Sequence, residues 1–115
     1  MEVLESAEIM DLALRERTAI VAAANEYTAY GITVNNVCPG YTRTARLDHL
    51  AGSISARSGV QPEEVVAQWD REIPAGRIGT PEEFAAVVAF LASQRASYVN
   101  GASIAVDGGL VRSLL

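Results

Sequence analysis

Ile32-Thr33-Val34-Asn35-Asn36-Val37-Cys38-Pro39-Gly40-Tyr41-Thr42-Arg43-Thr44 is the stretch that decides how this chain folds. It begins with a β-branched run and ends on a Pro-Gly turn, the pattern of a short buried strand over residues 32–37. Upstream, residues 6–30 contain neither Gly nor Pro and are dense in Ala, Leu, Glu and Arg, strong helix formers. Ile9, Ala13, Ile20, Ala23, Ala24 and Tyr27 follow helical spacing, and Gly31 supplies the stop. A small-residue face at Ala19, Ala22, Ala23 and Ala24 suits close packing against a neighbour.

Downstream, residues 41–59 read as a loop with a short helix near 45–56. Pro62 opens a second helix to about Glu72, with Val65, Val66 and Trp69 on one side. A turn-rich connector over residues 74–79 leads to Thr80-Pro81-Glu82-Glu83, a capping box with Pro at the first helical position. The helix it opens carries Phe84, Val87, Val88 and Leu91 on one face and ends near Ser93. Ser103-Ile104-Ala105-Val106 is a second strand, stopped by Asp107-Gly108-Gly109. Strand, helices, strand in this order predicts α/β architecture with a parallel sheet and a right-handed crossover. Two parallel strands make a thin sheet, so the pattern is that of one edge of a larger domain.

The 115 residues fit one domain, half of them apolar, which suffices to bury roughly two-thirds of the unfolded surface. The net charge of -5 and the absence of a basic run argue against nucleic acid or an anionic membrane as partner. One cysteine, Cys38, makes no internal disulfide, is expected as a small buried residue, and builds no metal site with the single His49. The start, MEVLESAEIMD, lacks the basic and apolar regions of a signal peptide, and no apolar run approaches a membrane span. A soluble cytoplasmic protein is the expectation. The nine strongly basic residues are all Arg; there is no Lys.

Three segments together resemble the short-chain dehydrogenase/reductase family, specifically its 3-oxoacyl-carrier-protein reductase-like branch. The first runs from Glu26-Tyr27 through Gly31-Ile32-Thr33-Val34-Asn35 to Pro39-Gly40-Tyr41-Thr42-Arg43-Thr44. The second is Ile73-Pro74-Ala75-Gly76-Arg77-Ile78-Gly79-Thr80-Pro81-Glu82-Glu83. The third leads from Phe90-Leu91-Ala92-Ser93 through Tyr98-Val99-Asn100-Gly101 to Val106-Asp107-Gly108-Gly109. Each is weak alone, and their order and spacing make the match specific from about Thr18 onward.

The resemblance implies the C-terminal part of a doubly wound, parallel-sheet Rossmann-type domain, with its last two strands and flanking helices. Residues 1–115 are then a partial family domain, with a divergent N-terminal helix over 1–17 and a variable substrate-loop region over 41–72. It implies a cofactor contact at Pro39, Gly40, Thr42 and Thr44, the backbone of Thr42 meeting a nicotinamide carboxamide and the Thr44 hydroxyl the carboxamide or diphosphate. Tyr41, Trp69 and His49 are candidates for a substrate pocket, with ordinary packing or exposure the stronger reading for each. Arg77 and Asp107 are assigned to salt links or turns. The family's activity is NAD(P)-dependent hydride transfer between small alcohols and carbonyl compounds, with a Tyr-x-x-x-Lys pair handling the proton.

That pair aligns near Ile9 and Ala13, and without any Lys no shifted alignment supplies it. No Gly-rich pyrophosphate loop is present either. The expectation is therefore no catalytic residue, no metal, and a chain truncated relative to the family. It would not bind NAD or NADP tightly alone and would be inactive in isolation. The alternative is a noncatalytic interaction module that associates with itself or with a full-length relative.

Overall fold

The two strands pair in a two-stranded sheet, β1 over Asn36–Pro39 and β2 over Ser103–Val106. The Asn36 amide donates to the Ala102 carbonyl at 2.8 Å and the Gly40 amide to the Val106 carbonyl at 3.0 Å. Both chains advance together between these bonds, so the pair is parallel, as expected. These coordinates come from a computed structural model that describes residues 21–113. The expected helix positions before residue 21 lie outside the described residues, as do the positions near Ile9 and Ala13.

The described helices are α1 over residues 21–27, α2 over Ala45–Ser58, α3 over Pro62–Glu72 and α4 over Pro81–Leu91. α2 runs two residues beyond the expected end and stops at Gly59, whose φ is 73°. α3 has the limits expected of it. None of these helices is long and apolar enough to cross a membrane among the described residues.

Contacts divide the chain into two compact units. The first contains the described residues up to Asn36 together with Phe90–Ile104. In it α1 passes into a 3-10 turn, Thr28–Tyr30, ended by Gly31 in the left-handed region at φ 73°. That region costs a residue with a Cβ, which is why glycine serves there. Ala24 is buried, and a Cβ on Gly101 would lie 3.5 Å from its methyl group.

The strand expected over 32–37 is displaced to Asn36–Pro39, and asparagines explain the shift. The Asn100 Oδ1 accepts from the Val34 amide at 2.9 Å, and its Nδ2 donates to the Ala24 carbonyl at 3.1 Å and to the Thr28 hydroxyl. Asn35 donates to the Val99 carbonyl at 2.9 Å and accepts from the Ala102 amide at 3.0 Å. Side-chain amides thus take the Val34 and Ala102 amides and the Val99 carbonyl, while the Val34 carbonyl still accepts from the Gly101 amide at 2.8 Å.

The second unit contains Val37–Ala89 and the described residues from Ala105 onward. Its core is Leu47 and Ala51 of α2, Val65 and Trp69 of α3, with Ile73 and Ile78 of the connector. Val66 packs against this cluster half-buried. The capping box forms in both directions: the Glu83 amide donates to Thr80 Oγ1 at 3.2 Å, and the Thr80 amide donates to Glu83 Oε2 at 2.8 Å. α4 buries none of its residues; Phe84, Val87 and Leu91 are half-buried and Val88 is 42% exposed. Cys38, expected buried, is half-buried in β1.

Candidate functional site

Both strands end at one cavity of the second unit, about 280 Å³ in volume. Tyr41 and Thr42 approach it from the end of β1, and Asp107, Gly108 and Gly109 from the end of β2. Ligands of parallel sheets collect at this carboxyl end because the last strand amides and the turns beyond them have no ladder partner.

The turn after β1 is shaped by close approach. A Cβ on Gly40 would stand 2.6 Å from the Asp107 Cβ and 2.8 Å from its Cα. Gly40 is therefore required by the neighbouring turn, a reason the sequence does not display. Beyond it, Thr42 forms an isolated parallel bridge with Gly79. The Gly79 amide donates to the Tyr41 carbonyl at 3.0 Å and the Arg43 amide to the Gly79 carbonyl at 2.8 Å. In such a bridge the flanking residues make the bonds, so the amide and carbonyl of Thr42 itself face away from Gly79. The Thr42 hydroxyl donates to the Gly40 carbonyl at 3.4 Å.

The four expected cofactor residues separate here. Thr42 lines the cavity. Gly40 lies behind the lining against Asp107, and Pro39 is exposed as the last residue of β1. Thr44 is the N-cap of α2; its carbonyl accepts from the Leu47 and Asp48 amides at 2.9 and 3.2 Å. Its hydroxyl makes no capping bond among the described residues. Of the three pocket candidates, Tyr41 reaches the cavity and stacks on Trp69 at 5.3 Å between centroids. Trp69 is 7% exposed and serves the core, and His49 stands exposed on α2 outside this lining.

A further part of the lining was read from sequence only as a connector and a cap. It consists of Ala75, Arg77, Gly79, Thr80, Glu83 and Phe84. Arg77 forks onto Glu83, donating through Nη1 at 2.9 Å and Nη2 at 2.5 Å. Those bonds, followed by the one from the Thr80 amide, hold the Glu83 carboxyl down to about 2, and the same pairing raises Arg77. Asp107 works as a turn residue, its carboxylate accepting from the Gly109 and Val111 amides at 2.9 Å each. Both outcomes match the salt-link and turn roles expected of Arg77 and Asp107. The missed signal lay in adjacency: Gly79 immediately precedes the cap residue Thr80, so part of the lining and a cap share one motif.

The first unit holds a larger open groove of about 830 Å³, lined by Asn25, Thr28, Ile32, Gln94 and Tyr98 among others. It gathers amides and hydroxyls without a charged side chain.

Comparison with known proteins adds to this geometry. A family model described as enoyl-(acyl carrier protein) reductase matches residues 16–111. A cyclohexanol dehydrogenase from Rhodococcus sp. (strain TK6) is 44% identical over 103 residues, covering 83% of this chain and 34% of that protein. A short chain dehydrogenase family protein from Francisella tularensis subsp. tularensis SCHU S4 has a TM-score of 0.79 at 31% identity, covering 84% of this chain and 40% of that one. The L-sorbose reductase of Gluconobacter frateurii, solved with NADPH and L-sorbose, has a TM-score of 0.77 at 29% identity, covering 85% of this chain and 38% of that one. The chain spans about a third of the length of the curated relatives it matches. The likeness assigns the two strands and their helices to the Rossmann-type, doubly wound domain of these proteins.

Proposed function

Because the chain belongs to the short-chain dehydrogenase/reductase family, we propose that it supplies the nicotinamide end of an NAD(P)-dependent oxidoreductase acting on small alcohols and carbonyl compounds. The observation that carries this reading is the cavity at the strand ends, lined by Thr42, whose amide and carbonyl are not used by its bridge to Gly79. Its 280 Å³ lies just below the roughly 300–1,000 Å³ of complete small-molecule sites. That size suits one end of a dinucleotide. The Thr42 amide and carbonyl present a donor and an acceptor, the complement of a carboxamide. The Thr44 hydroxyl stands outside this lining and is uncommitted to its helix cap among the described residues; it is the second contact we propose. Gly40 and Pro39 shape the turn that delivers both.

When bound, a nicotinamide cofactor supplies hydride transfer. This chain's residues hold and orient the ring; none of them is assigned the proton. A positioned acid or base contributes roughly 10²–10⁴-fold, and with no Lys the chain lacks the Tyr-x-x-x-Lys arrangement. As an isolated chain it therefore binds NAD or NADP weakly and does not turn over. A cytoplasmic location, with the nicotinamide pool, goes with this reading.

A second reading, association with a copy of itself or a full-length relative, is favoured by exposed apolar side chains. Ile32, Val88 and Phe90 are 50%, 42% and 46% exposed.

The test is amide NMR of the labelled chain titrated with nicotinamide mononucleotide and, separately, adenosine monophosphate. The nicotinamide compound is expected to move the Thr42 and Gly79 amides while the adenine compound leaves them in place. Equal responses to both, or a response confined to the first unit's groove, would contradict the reading.

A further inference from the structure

We propose that Asp70 is a positioning residue for the nicotinamide contact, setting the Thr42 peptide through the connector at residues 78–80. The inference rests on the reading that Thr42 meets the nicotinamide, and it adds a residue from the substrate-loop helix α3. Three consecutive amides of the connector are taken by three different parts of the unit. The Ile78 amide donates to Asp70 Oδ1 at 2.8 Å. The Gly79 amide donates to the Tyr41 carbonyl at 3.0 Å. The Thr80 amide donates to Glu83 Oε2 at 2.8 Å. A segment held at three successive donors has little freedom, and Gly79 in its middle is the residue that bridges to Thr42.

Asp70 is well placed to fix the first of these bonds. Its helical neighbour Trp69 is buried in the core with Val65, so α3 presents the carboxylate from an anchored turn. The Ile78 side chain is buried in the same core at 6% exposure. A bond from an amide to a carboxylate is about twice as strong as a neutral one. Removing the carboxylate leaves the Ile78 amide seeking a partner and frees Gly79 to shift along Tyr41 and Arg43. Thr42 follows, because its bridge to Gly79 is made by those two flanking residues. Displacement of α3 by a substrate would reach Thr42 by the same route.

The experiment uses the labelled full chain in four forms: unchanged, Asp70→Ala, Asp70→Asn and Glu64→Ala. Glu64 lies on the same helix and pairs with Arg71 at 2.8 Å on the exposed face, so its loss controls for general loosening. Asp70→Ala is expected to move the Thr42 amide resonance of the ligand-free chain and to weaken the nicotinamide mononucleotide response roughly three- to tenfold. Asp70→Asn keeps one acceptor and should restore most of that loss, and Glu64→Ala should leave both readouts unchanged. A Thr42 resonance unmoved in ligand-free Asp70→Ala would overturn the inference, as would an equal shift in Glu64→Ala. Should Asp70→Ala fail to fold, Asp70→Asn against Glu64→Ala decides: a Thr42 shift in the former alone supports the inference, and identical spectra overturn it. The ligand-free shift tests Asp70 whatever the nicotinamide does, whereas an unchanged chain that ignores nicotinamide contradicts the proposed function instead.

Discussion

At Gly40 a Cβ would meet the Cβ and Cα of Asp107 at 2.6 and 2.8 Å, and the second of these is backbone that cannot rotate away. Gly40→Ala should therefore force the two strand ends apart and cost about 1–3 kcal/mol, as overpacking does. Chemical denaturation checks this; an unchanged midpoint would mean that the turns separate freely. Glu83 offers a pH test. Its carboxyl is held down to about 2 from an ordinary value of 4.5, first by Arg77 and then by the Thr80 amide. A depressed folded value contributes stability present above about 4.5 and lost as pH falls toward about 2. The stability difference between the native chain and Glu83→Gln should thus be constant at neutral pH and shrink across that window. A difference that persists at pH 2 would remove the ion pair from the explanation. Pro-Gly and the capping box were legible as residues because each has one local role. The Gly40 contact was not, since its partner Asp107 is distant in sequence.

α3 was legible to its ends because Pro62 and the Val65–Trp69 spacing are local signals. Its packing on α2 was readable only as an apolar face. Trp69 is 7% exposed against Leu47 and Ala51 and stacks on Tyr41, so Trp69→Ala should cost about 3–5 kcal/mol. Leu50→Ala on the 46%-exposed face of α2 should cost far less in the same melt. Equal losses would displace the core from where it is described. β1 shows where an element resists reading: Ile32 and Val34 are good strand residues, yet Asn35 and Asn100 intercept the ladder. Nothing in residues 32–37 alone announces a partner at position 100. α4 carries the expected apolar face, but its helix alone does not say what covers it, and Val88 and Phe90 remain exposed.

For the whole molecule, the parallel pairing of β1 with β2 and the family resemblance were readable because three separated motifs occur in order. The cavity was not, because part of its lining is the same Arg77-to-Glu83 run that reads as a helix start. The proposed association rests on the exposed Ile32, Val88 and Phe90. Light scattering across a dilution series should show dimers or larger species; a 12.2 kDa particle at every concentration, unfolding cooperatively, would contradict this. More narrowly, we propose that this chain meets the nicotinamide end of the cofactor. Saturation-transfer NMR on the full chain with NADP⁺ tests it most directly, by irradiating protein methyl groups and reading each end of the same ligand. Saturation should be stronger at the nicotinamide ring protons than at the adenine protons. Saturation centred on the adenine would contradict it.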